Sequence, residues 1–448
     1  MPIHLAEAGA TKQFFLDMFT RDISLEDCIL DLIDNSIDSL IRWRNIDVSD
    51  AILKRAKDSR ENHLPLIDVK ISQTEFEISD NCGGITQEDA LNKVFRFGHL
   101  NPQGSQLGVY GVGLKRALFK IGNNIEVISR TANEGFKANL EVDKWAKDRD
   151  NWKIPLTFVS GAGSLDRAGT KISIQFLRPE IKLRIRSGTL EAVEKSIAQT
   201  YALFLDRHVR VRLNGSLVTP RQIPVGESRD VKPAKETLIT DFEEGKVKAT
   251  VIASLAARDR DNKWTAATAG WYVLCNARVV LSADRSELTG WGVGMPAFHS
   301  KYSGFVGVVF FHSQDPHLLP WTTTKRNLNR ESIAFQKTRN LMIAAARPVI
   351  SFLNEMYPSE IPEESQERKI ADQVKHADLR TIAAKVADSK FVVKKGKRAP
   401  EKTTQRIQFD AEKRDIERIR KHIGKPHWSL EKIGKHTFDH FVRTECPE

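Results

Sequence analysis

The hydrophobic and polar positions near the start of the chain predict a long helix. A run rich in Leu and Ile at helical spacing follows Ser24 and Asp27, which form a capping-box pattern, so we predict that a helix begins directly after Ser24. Asp31, Asn35 and Asp38 fall at i, i+4 and i+7 and therefore share one face of that helix. A polar stripe of this kind usually faces water, so by itself it assigns no function.

A strand and a glycine turn follow in residues 76 to 86, FEISDNCGGIT. The pattern predicts a strand that ends at Asp80, and Gly83 with Gly84 predict a turn in which the backbone approaches a ligand closely. A carboxylate at the end of such a strand accepts a hydrogen bond from an exocyclic amine. Asp80 is therefore a candidate binding residue.

Residues 93 to 122 form a polar loop, the string GVYGVGLK and an apolar helix. Gly108, Gly111 and Gly113 allow backbone N–H groups to point into one concavity at the start of that helix, and Lys115 follows in its first turn. This geometry suits phosphate. Taken alone, such a glycine string is as often a tight turn as a nucleotide loop.

In this order and spacing, these stretches resemble the nucleotide-binding boxes of the GHKL superfamily, which contains gyrase, heat-shock chaperone, histidine kinase and MutL ATPases. The string AGTKISIQF at residues 168 to 176 is similar to the last box. The resemblance covers roughly residues 10 to 178 and implies a Bergerat-type α/β sandwich with ATP and Mg²⁺ as cofactors. The residues from Lys93 to Gly113 resemble the ATP lid.

The resemblance also implies roles for individual residues. Asn35 corresponds to the residue that binds the Mg²⁺ ion bridging the phosphates, and Asp38 supports the site from behind. Asp80 corresponds to the carboxylate that reads the adenine amino group, assisted by Thr170, and Gly84 to the glycine beside the base. The complete set of implied ATP contacts is Asn35, Asp38, Asp80, Gly84, Gly98, Gly108, Val109, Tyr110, Gly111, Val112, Gly113, Leu114, Lys115 and Thr170.

The candidate general base departs from the family pattern. Many members have Glu four residues before the Mg²⁺-binding Asn, and this chain has Asp31 there. One methylene less withdraws the carboxylate by about 1.5 Å. A misplacement of about 1 Å costs on the order of 100-fold in rate. We therefore predict an ATPase that hydrolyses slowly, with Asp31 as its base.

The second half of the chain predicts a further α+β layer. Lys325 lies in a predicted threonine-rich loop, LPWTTTKRNLNRES, at residues 319 to 332. This position resembles the one from which MORC, MutL and type II topoisomerase relatives project a lysine onto the γ-phosphate, out of a ribosomal-S5-like transducer domain. GVYGVGLK is closest in form to the MORC ATPases. The predicted elements are a hairpin at 208–220, strands at 246–255, 269–281 and 304–311, and helices at 190–206 and 330–354.

Composition and charge limit the class of protein. The 448 residues are 40% hydrophobic and 28% charged. The sequence has no apolar run of membrane-spanning length and no leader-like start, so we expect a cytoplasmic protein with no membrane partner. Its four cysteines are far apart, which favours neither a disulfide framework nor a zinc site. The net charge of +11 is compatible with DNA binding, and residues 385–435 carry an excess of 16 − 7 = +9.

The expected α+β architecture has three parts: a GHKL ATP-binding domain at 1–185, an S5-like transducer domain at 186–355, and a linker with a basic helical region at 356–448. The leading hypothesis is an ATP-gated clamp that dimerises on ATP binding and acts on DNA. From the MORC resemblance we expect a restriction or anti-phage context with nuclease or other operon partners. A chaperone-like or signalling module acting on protein clients, and a nucleotide-binding scaffold with little turnover, stay open as alternatives.

Overall fold

The residues that the computed structural model describes are 11–46, 48, 64–97, 106–109, 111–148, 151–160, 167–205, 207–259, 261–356, 370–377, 379, 388–394 and 407–446. The chain divides into two compact units, Met1–Lys395 and Gly396–Glu448. The predicted linker at 357–369 and most of the basic run at 394–402 lie outside the described residues.

The predicted helix at 330–354 is observed at Ile333–Met356, whereas the helix predicted at 190–206 ends earlier, at Thr200. Ser24 caps the helix Leu25–Trp43: its hydroxyl accepts from the Asp27 amide at 3.1 Å, and the Asp27 carboxylate accepts from the Ser24 amide at 3.3 Å. The predicted capping box is therefore confirmed. In the first unit the longer helices are α1 (Lys12–Arg21), α2 (Leu25–Trp43), α3 (Gly113–Ile121), α4 (Val142–Lys147), α5 (Pro179–Arg186), α6 (Thr189–Thr200) and α7 (Ile333–Met356). In the second unit they are α8 (Lys413–His422) and α9 (Leu430–Glu445).

An eight-stranded sheet forms the first layer, with helix α2 packed against α3 and α6. Its strand order is β5-β4-β3-β6-β2-β1-β7-β8, and all neighbours are antiparallel except β1 and β7. The predicted strand that ends at Asp80 is confirmed as β2. The strands are β1 (Leu66–Ile71), β2 (Glu75–Asp80), β3 (Gly122–Arg130), β4 (Glu134–Glu141), β5 (Leu156–Ser160), β6 (Gly169–Leu177), β7 (Arg210–Leu213) and β8 (Ser216–Leu217).

A five-stranded sheet forms the second layer, in the order β11-β12-β15-β13-β14, with α7 packed on β11, β12 and β15. Two short pairs, β9 with β16 and β10 with β17, lie outside it. The strands are β9 (Gly226–Glu227), β10 (Val231–Lys232), β11 (Ala234–Asp241), β12 (Lys246–Leu255), β13 (Gly270–Cys275), β14 (Arg278–Asp284), β15 (Phe305–His312), β16 (Lys375–His376) and β17 (Val392–Val393).

The alternation along these strands divides the core between the two layers. On β13, Trp271 and Val273 belong to the hydrophobic cluster beneath α7, whereas Tyr272 and Leu274 belong to the cluster of the first layer. Strand β13 is therefore buried on both faces, and the two layers share the hydrophobic cluster that contains Tyr272 and Leu274. These observations confirm the α+β class.

Two predicted segments, residues 269–281 and 208–220, each form a hairpin. Residues 269–281 were expected to form one strand, but Asn276 and Ala277 have positive φ values of 44° and 70° and turn the chain, so the segment is a β13–β14 hairpin. The hairpin with Asn214 and Gly215 at its turn is confirmed as β7–β8, and it extends the first sheet because β7 pairs with β1.

We expect Gly307→Ala to lower the free energy of unfolding by about 1 to 3 kcal/mol. Gly307 is paired with Trp271 across β13 and β15, and a Cβ at Gly307 would lie 2.3 Å from the indole ring. Chemical denaturation of Gly307→Ala, Trp271→Leu and the double variant checks this. If the steric contact is the cause, the double variant loses less stability than the sum of the single variants, whereas strict additivity would contradict it.

Candidate functional site

The candidate residues meet at one cavity of about 520 Å³. Helix α2 forms one side, β2 and β6 close one end, and the N-terminus of α3 and the loop before α7 border the rest. The predicted site residues that line it are Asp31, Asn35, Asp38, Asp80, Gly108, Val109, Gly111, Val112, Gly113, Leu114, Lys115, Thr170 and Lys325. The sequence-based prediction thus selected residues that the fold brings together.

One end of the cavity is an apolar slot closed by a carboxylate. Asp80 Oδ2 accepts a hydrogen bond from the Ser36 hydroxyl at 2.7 Å, and Asp80 Oδ1 accepts from the Cys82 amide at 2.9 Å and the Thr170 amide at 3.3 Å. Burial raises the pKa of Asp80, and these three hydrogen bonds oppose the rise. The apolar residues that line the cavity include Leu32, Ile78, Ile85, Val127 and Ile172. Such a slot fits a flat ring that presents an amine to Asp80.

The opposite end offers backbone donors. Helix α3 begins at Gly113, and Val112 at its N-cap gives no side-chain hydrogen bond, so the first N–H groups of the helix have no side-chain cap. Gly111 has φ of +60°, and a Cβ at Gly113 would lie 3.2 Å from Asp31 Cγ. The glycines therefore let the chain turn directly above α2. A helix N-terminus of this kind attracts anions.

Asp31 pairs with Arg116, a residue that the sequence did not single out. Arg116 Nε donates to Asp31 Oδ2 at 2.7 Å, and both side chains are buried. Burial opposes the charge of Arg116, but the hydrogen bond to Asp31 and its negative charge outweigh that effect and raise the pKa of Arg116. One oxygen of the candidate base is thus engaged and oriented by α3.

Asp38 binds the end of the lid. Its carboxylate accepts from the amides of Leu107 and Gly108, both at 2.7 Å, and a Cβ at Gly108 would lie 2.9 Å from Asp38 Oδ2. Leu107 and Gly108 lie in the C-terminal part of the predicted lid, so this contact attaches that part of the lid to α2. In this structure the Asp38 carboxylate therefore binds two backbone amides of the lid, and its role towards nucleotide stays a prediction.

Lys115 faces two carbonyl groups. Its ammonium donates to Val94 O at 3.0 Å and Arg96 O at 2.8 Å, and burial lowers the pKa of Lys115 to about 8. Val94 and Arg96 belong to the N-terminal part of the predicted lid. In this structure Lys115 therefore holds that part of the lid, and its contact with phosphate stays a prediction.

Asn35 has a side chain that fits a ligand in the cavity. Its amide nitrogen is buried and, among the described residues, has no hydrogen-bond partner. An orphaned polar atom of this kind costs free energy unless something in the cavity binds it. Mg²⁺ takes few protein ligands when phosphates and waters supply the rest, so the amide oxygen of Asn35 fits the predicted metal role.

Lys325 lies at the cavity wall, but its ammonium is bound to α2. It donates to Asp34 Oδ2 at 2.7 Å, while Arg278 Nε donates to Asp34 Oδ1 at 3.0 Å. The hydroxyl of Tyr201 lies 2.7 Å from Asp34 Oδ1 and also 2.7 Å from Leu30 O. Burial acts to raise the pKa of Asp34, but Arg278 and Lys325 outweigh it and lower the pKa.

Three predicted residues do not line the described cavity. Gly84 lies beside it, and its carbonyl accepts a hydrogen bond from the Ser39 hydroxyl at 3.2 Å. A side chain is excluded at this position, because the φ of Gly84 is +75° and a Cβ would lie 1.9 Å from Arg130 O. Gly98 and Tyr110 lie outside the described residues.

The sequence-based prediction missed four residues that organise the site: Asp34, Arg116, Asn276 and Arg278. Asp34 had a usable signal, since it is an acid beside Asn35 on a helix rich in Leu and Ile. Nothing in the local sequence marks Arg278, because its partner is 244 residues away.

Comparison with known families agrees with this geometry. Residues 23–161 match the family described as histidine kinase-, DNA gyrase B-, and HSP90-like ATPase. The match supports GHKL superfamily membership for this part of the chain. ATPases of that superfamily bind ATP and typically Mg²⁺. It includes Asp31, Asn35 and Asp80 and ends before Thr170 and Lys325. No curated protein matches the chain.

Within the described residues, every helix is too short or too polar to cross a membrane.

We expect the stability of the wild-type protein to fall relative to Asp38→Asn as the pH rises. Burial raises the pKa of Asp38 from 3.8 to about 6. A carboxyl group whose pKa is raised on folding contributes stability at pH values below its pKa in the unfolded chain. That contribution is lost as the pH rises through its pKa in the folded protein. Between about pH 5 and about pH 7.5, Asp38→Asn should gain about 1 kcal/mol relative to wild type.

Thermal unfolding of both proteins across this pH range measures the difference. Asn lacks the second acceptor oxygen, so a constant offset between the two curves is expected at every pH. Only the change of the offset with pH tests the titration of Asp38. Parallel curves would show that Asp38 does not titrate in this range.

Proposed function

We propose that this protein is a Mg²⁺-dependent ATPase that works as a conformational switch. The observation that carries the proposal is the arrangement of one cavity, with an apolar slot closed by Asp80 at one end and the uncapped N-terminus of α3 at the other. Adenine would occupy the slot and donate its amino group to Asp80. The phosphates would lie against the amides of Gly113 and Leu114.

Asn35, between these two ends, would hold Mg²⁺. When bound, the ion neutralises negative charge on the phosphates and orients them. The metal ligand would be the amide oxygen of Asn35, and the buried amide nitrogen, which has no partner among the described residues, would donate to a phosphate oxygen.

Asp31 would take the proton of the attacking water. Arg116 holds Asp31 Oδ2 at 2.7 Å, which fixes the side chain and leaves Oδ1 for the water. The shorter side chain of Asp and the engagement of one oxygen by Arg116 both favour slow turnover.

Lys325 would sense the γ-phosphate. It lines the cavity from the second layer, and its Nζ bond to Asp34 gives it a resting partner when no γ-phosphate is present. We further propose that the second layer is an S5-like transducer domain. ATP would draw Lys325 towards the cavity and ADP would leave it on Asp34, so the two nucleotides favour different arrangements of the same chain.

The DNA-clamp hypothesis is part of the same proposal. The excess of basic residues in 385–435 and the exposed basic side chains of α8 support contact with a phosphate backbone. ATP-dependent homodimerisation would close the clamp, and the MORC resemblance favours a defence context.

Substitution of Asp31 tests the ATPase assignment. We expect Mg²⁺-dependent ATP hydrolysis by the wild-type protein, a loss of roughly 100-fold or more in Asp31→Asn, and a gain in Asp31→Glu. Steady-state turnover measures the rates, and nucleotide affinity, which should change little in either variant, is the control. Binding without turnover in all three proteins would instead identify a nucleotide-binding scaffold.

Salt-dependent DNA binding tests the clamp. If Arg414 and Lys421 on α8 contact phosphates, replacing both with Ala lowers the slope of log affinity against log salt by about two. Lys195→Ala/Lys248→Ala removes two exposed lysines of the first unit and is the matched control. Equal slopes for both pairs would exclude α8 from DNA contact, and salt-independent affinity for a protein client would favour the chaperone-like alternative.

A further inference from the structure

The lysine that would sense phosphate is held at two points. Its ammonium donates to Asp34 Oδ2 at 2.7 Å, and its carbonyl oxygen accepts from Arg278 Nη1 at 2.7 Å. Lys325 has φ of +55°, a backbone conformation that residues other than glycine rarely adopt. Arg278 therefore stabilises an unusual backbone conformation at the residue whose side chain reaches the cavity.

Arg278 also keeps Asp34 neutralised. Both side chains are 1% exposed, and Arg278 Nε donates to Asp34 Oδ1 at 3.0 Å. If Lys325 left Asp34 for a phosphate, a buried carboxylate without a counterion would remain unless a second cation were present. Arg278 is that second cation. Its charge makes it possible for Lys325 to change partner.

The turn that carries Arg278 also contacts the end of the lid. Asn276 is buried, and its amide nitrogen donates to Gln106 O at 3.3 Å and Ser313 O at 3.1 Å. Val109, three residues after Gln106, is buried in the hydrophobic cluster of the second layer. The β13–β14 turn is thus bonded to the lid through one residue and to Lys325 through another.

We propose that Arg278 is a positioning residue for Lys325 and that the β13–β14 turn couples the end of the lid to this lysine. The inference rests on the proposed function, because it assumes that Lys325 recognises the γ-phosphate. It assigns Arg278 two tasks: to hold the Lys325 backbone and to keep Asp34 paired in both nucleotide states. Arg278 itself is not among the residues that line the cavity, so its proposed effect on nucleotide acts through Lys325.

A purely structural role for Arg278 makes a different prediction. If Arg278 only joined the two layers, its loss would weaken the fold and lower the affinity for every nucleotide alike. If it positions Lys325, its loss lowers the affinity for ATP analogues and leaves ADP binding intact. The preference for a non-hydrolysable ATP analogue over ADP separates the two roles.

The experiment is calorimetric titration of the full chain with ADP and with a non-hydrolysable ATP analogue, both with Mg²⁺. We expect the wild-type protein to prefer the analogue, and Lys325→Met and Arg278→Gln to lose roughly tenfold of that preference, a typical size for coupling between sites. Asn276→Ala should lose part of it. Arg212→Gln removes the arginine of another Asp–Arg pair, with Asp68, in the first layer and should keep the preference.

The outcomes are distinguishable. Loss of the preference in Lys325→Met but not in Arg278→Gln would overturn the inference and leave the proposed function standing. An unchanged preference in Lys325→Met would refute the γ-phosphate role itself. If Arg278→Gln does not fold, Arg278→Lys is the second variant: it keeps a cation near Asp34 but replaces the two nitrogens that bind Asp34 and the Lys325 carbonyl with one, so it should fold and still show a reduced preference. A full wild-type preference in Arg278→Lys would overturn the inference.

Discussion

The negative charge of Asp34 has to be neutralised inside the protein, and the arrangement around the cavity depends on that requirement. A buried carboxylate is costly unless cations and hydrogen bonds satisfy it. The charged partners of Asp34 are Arg278 and Lys325, 244 and 291 residues further along the chain. The charge that stabilises α2 is therefore supplied by the second layer, and the candidate γ-phosphate sensor lies at the cavity for the same reason.

Three acidic side chains in the middle of α2 each bind a different part of the molecule. Asp31 pairs with Arg116 of α3, Asp34 with the second layer, and Asp38 with backbone amides at the end of the lid. None of the three is exposed to water, although the spacing alone would favour a solvated stripe. Helix α2 thus joins α3, the second layer and the end of the lid, and Asn35 lies among these attachments with an amide nitrogen that has no partner in the part of the chain that the structure describes.

Local rules account for the parts of the structure that sequence reasoning predicted. The start of α2, the end of β2 at Asp80 and the helix after Gly113 follow from capping, strand alternation and glycine placement. The pairs that orient the site could not be predicted in this way, because no local pattern reports that Arg116 faces Asp31 or that Arg278 faces Asp34. The β13–β14 turn was missed for a related reason, since Asn276 and Ala277 lack the glycine that usually marks such a turn.

The hydrophobic core that the two layers share has a consequence for how the protein can be divided. Tyr272 and Leu274 of the second sheet pack in the cluster of the first layer, and β7, which follows α6, pairs with β1. A fragment ending before β7 would expose an apolar face and an unpaired strand edge, both of which promote aggregation. A soluble fragment that contains the ATPase-like segment therefore has to keep β7 and the strands of the second sheet that cover this apolar face.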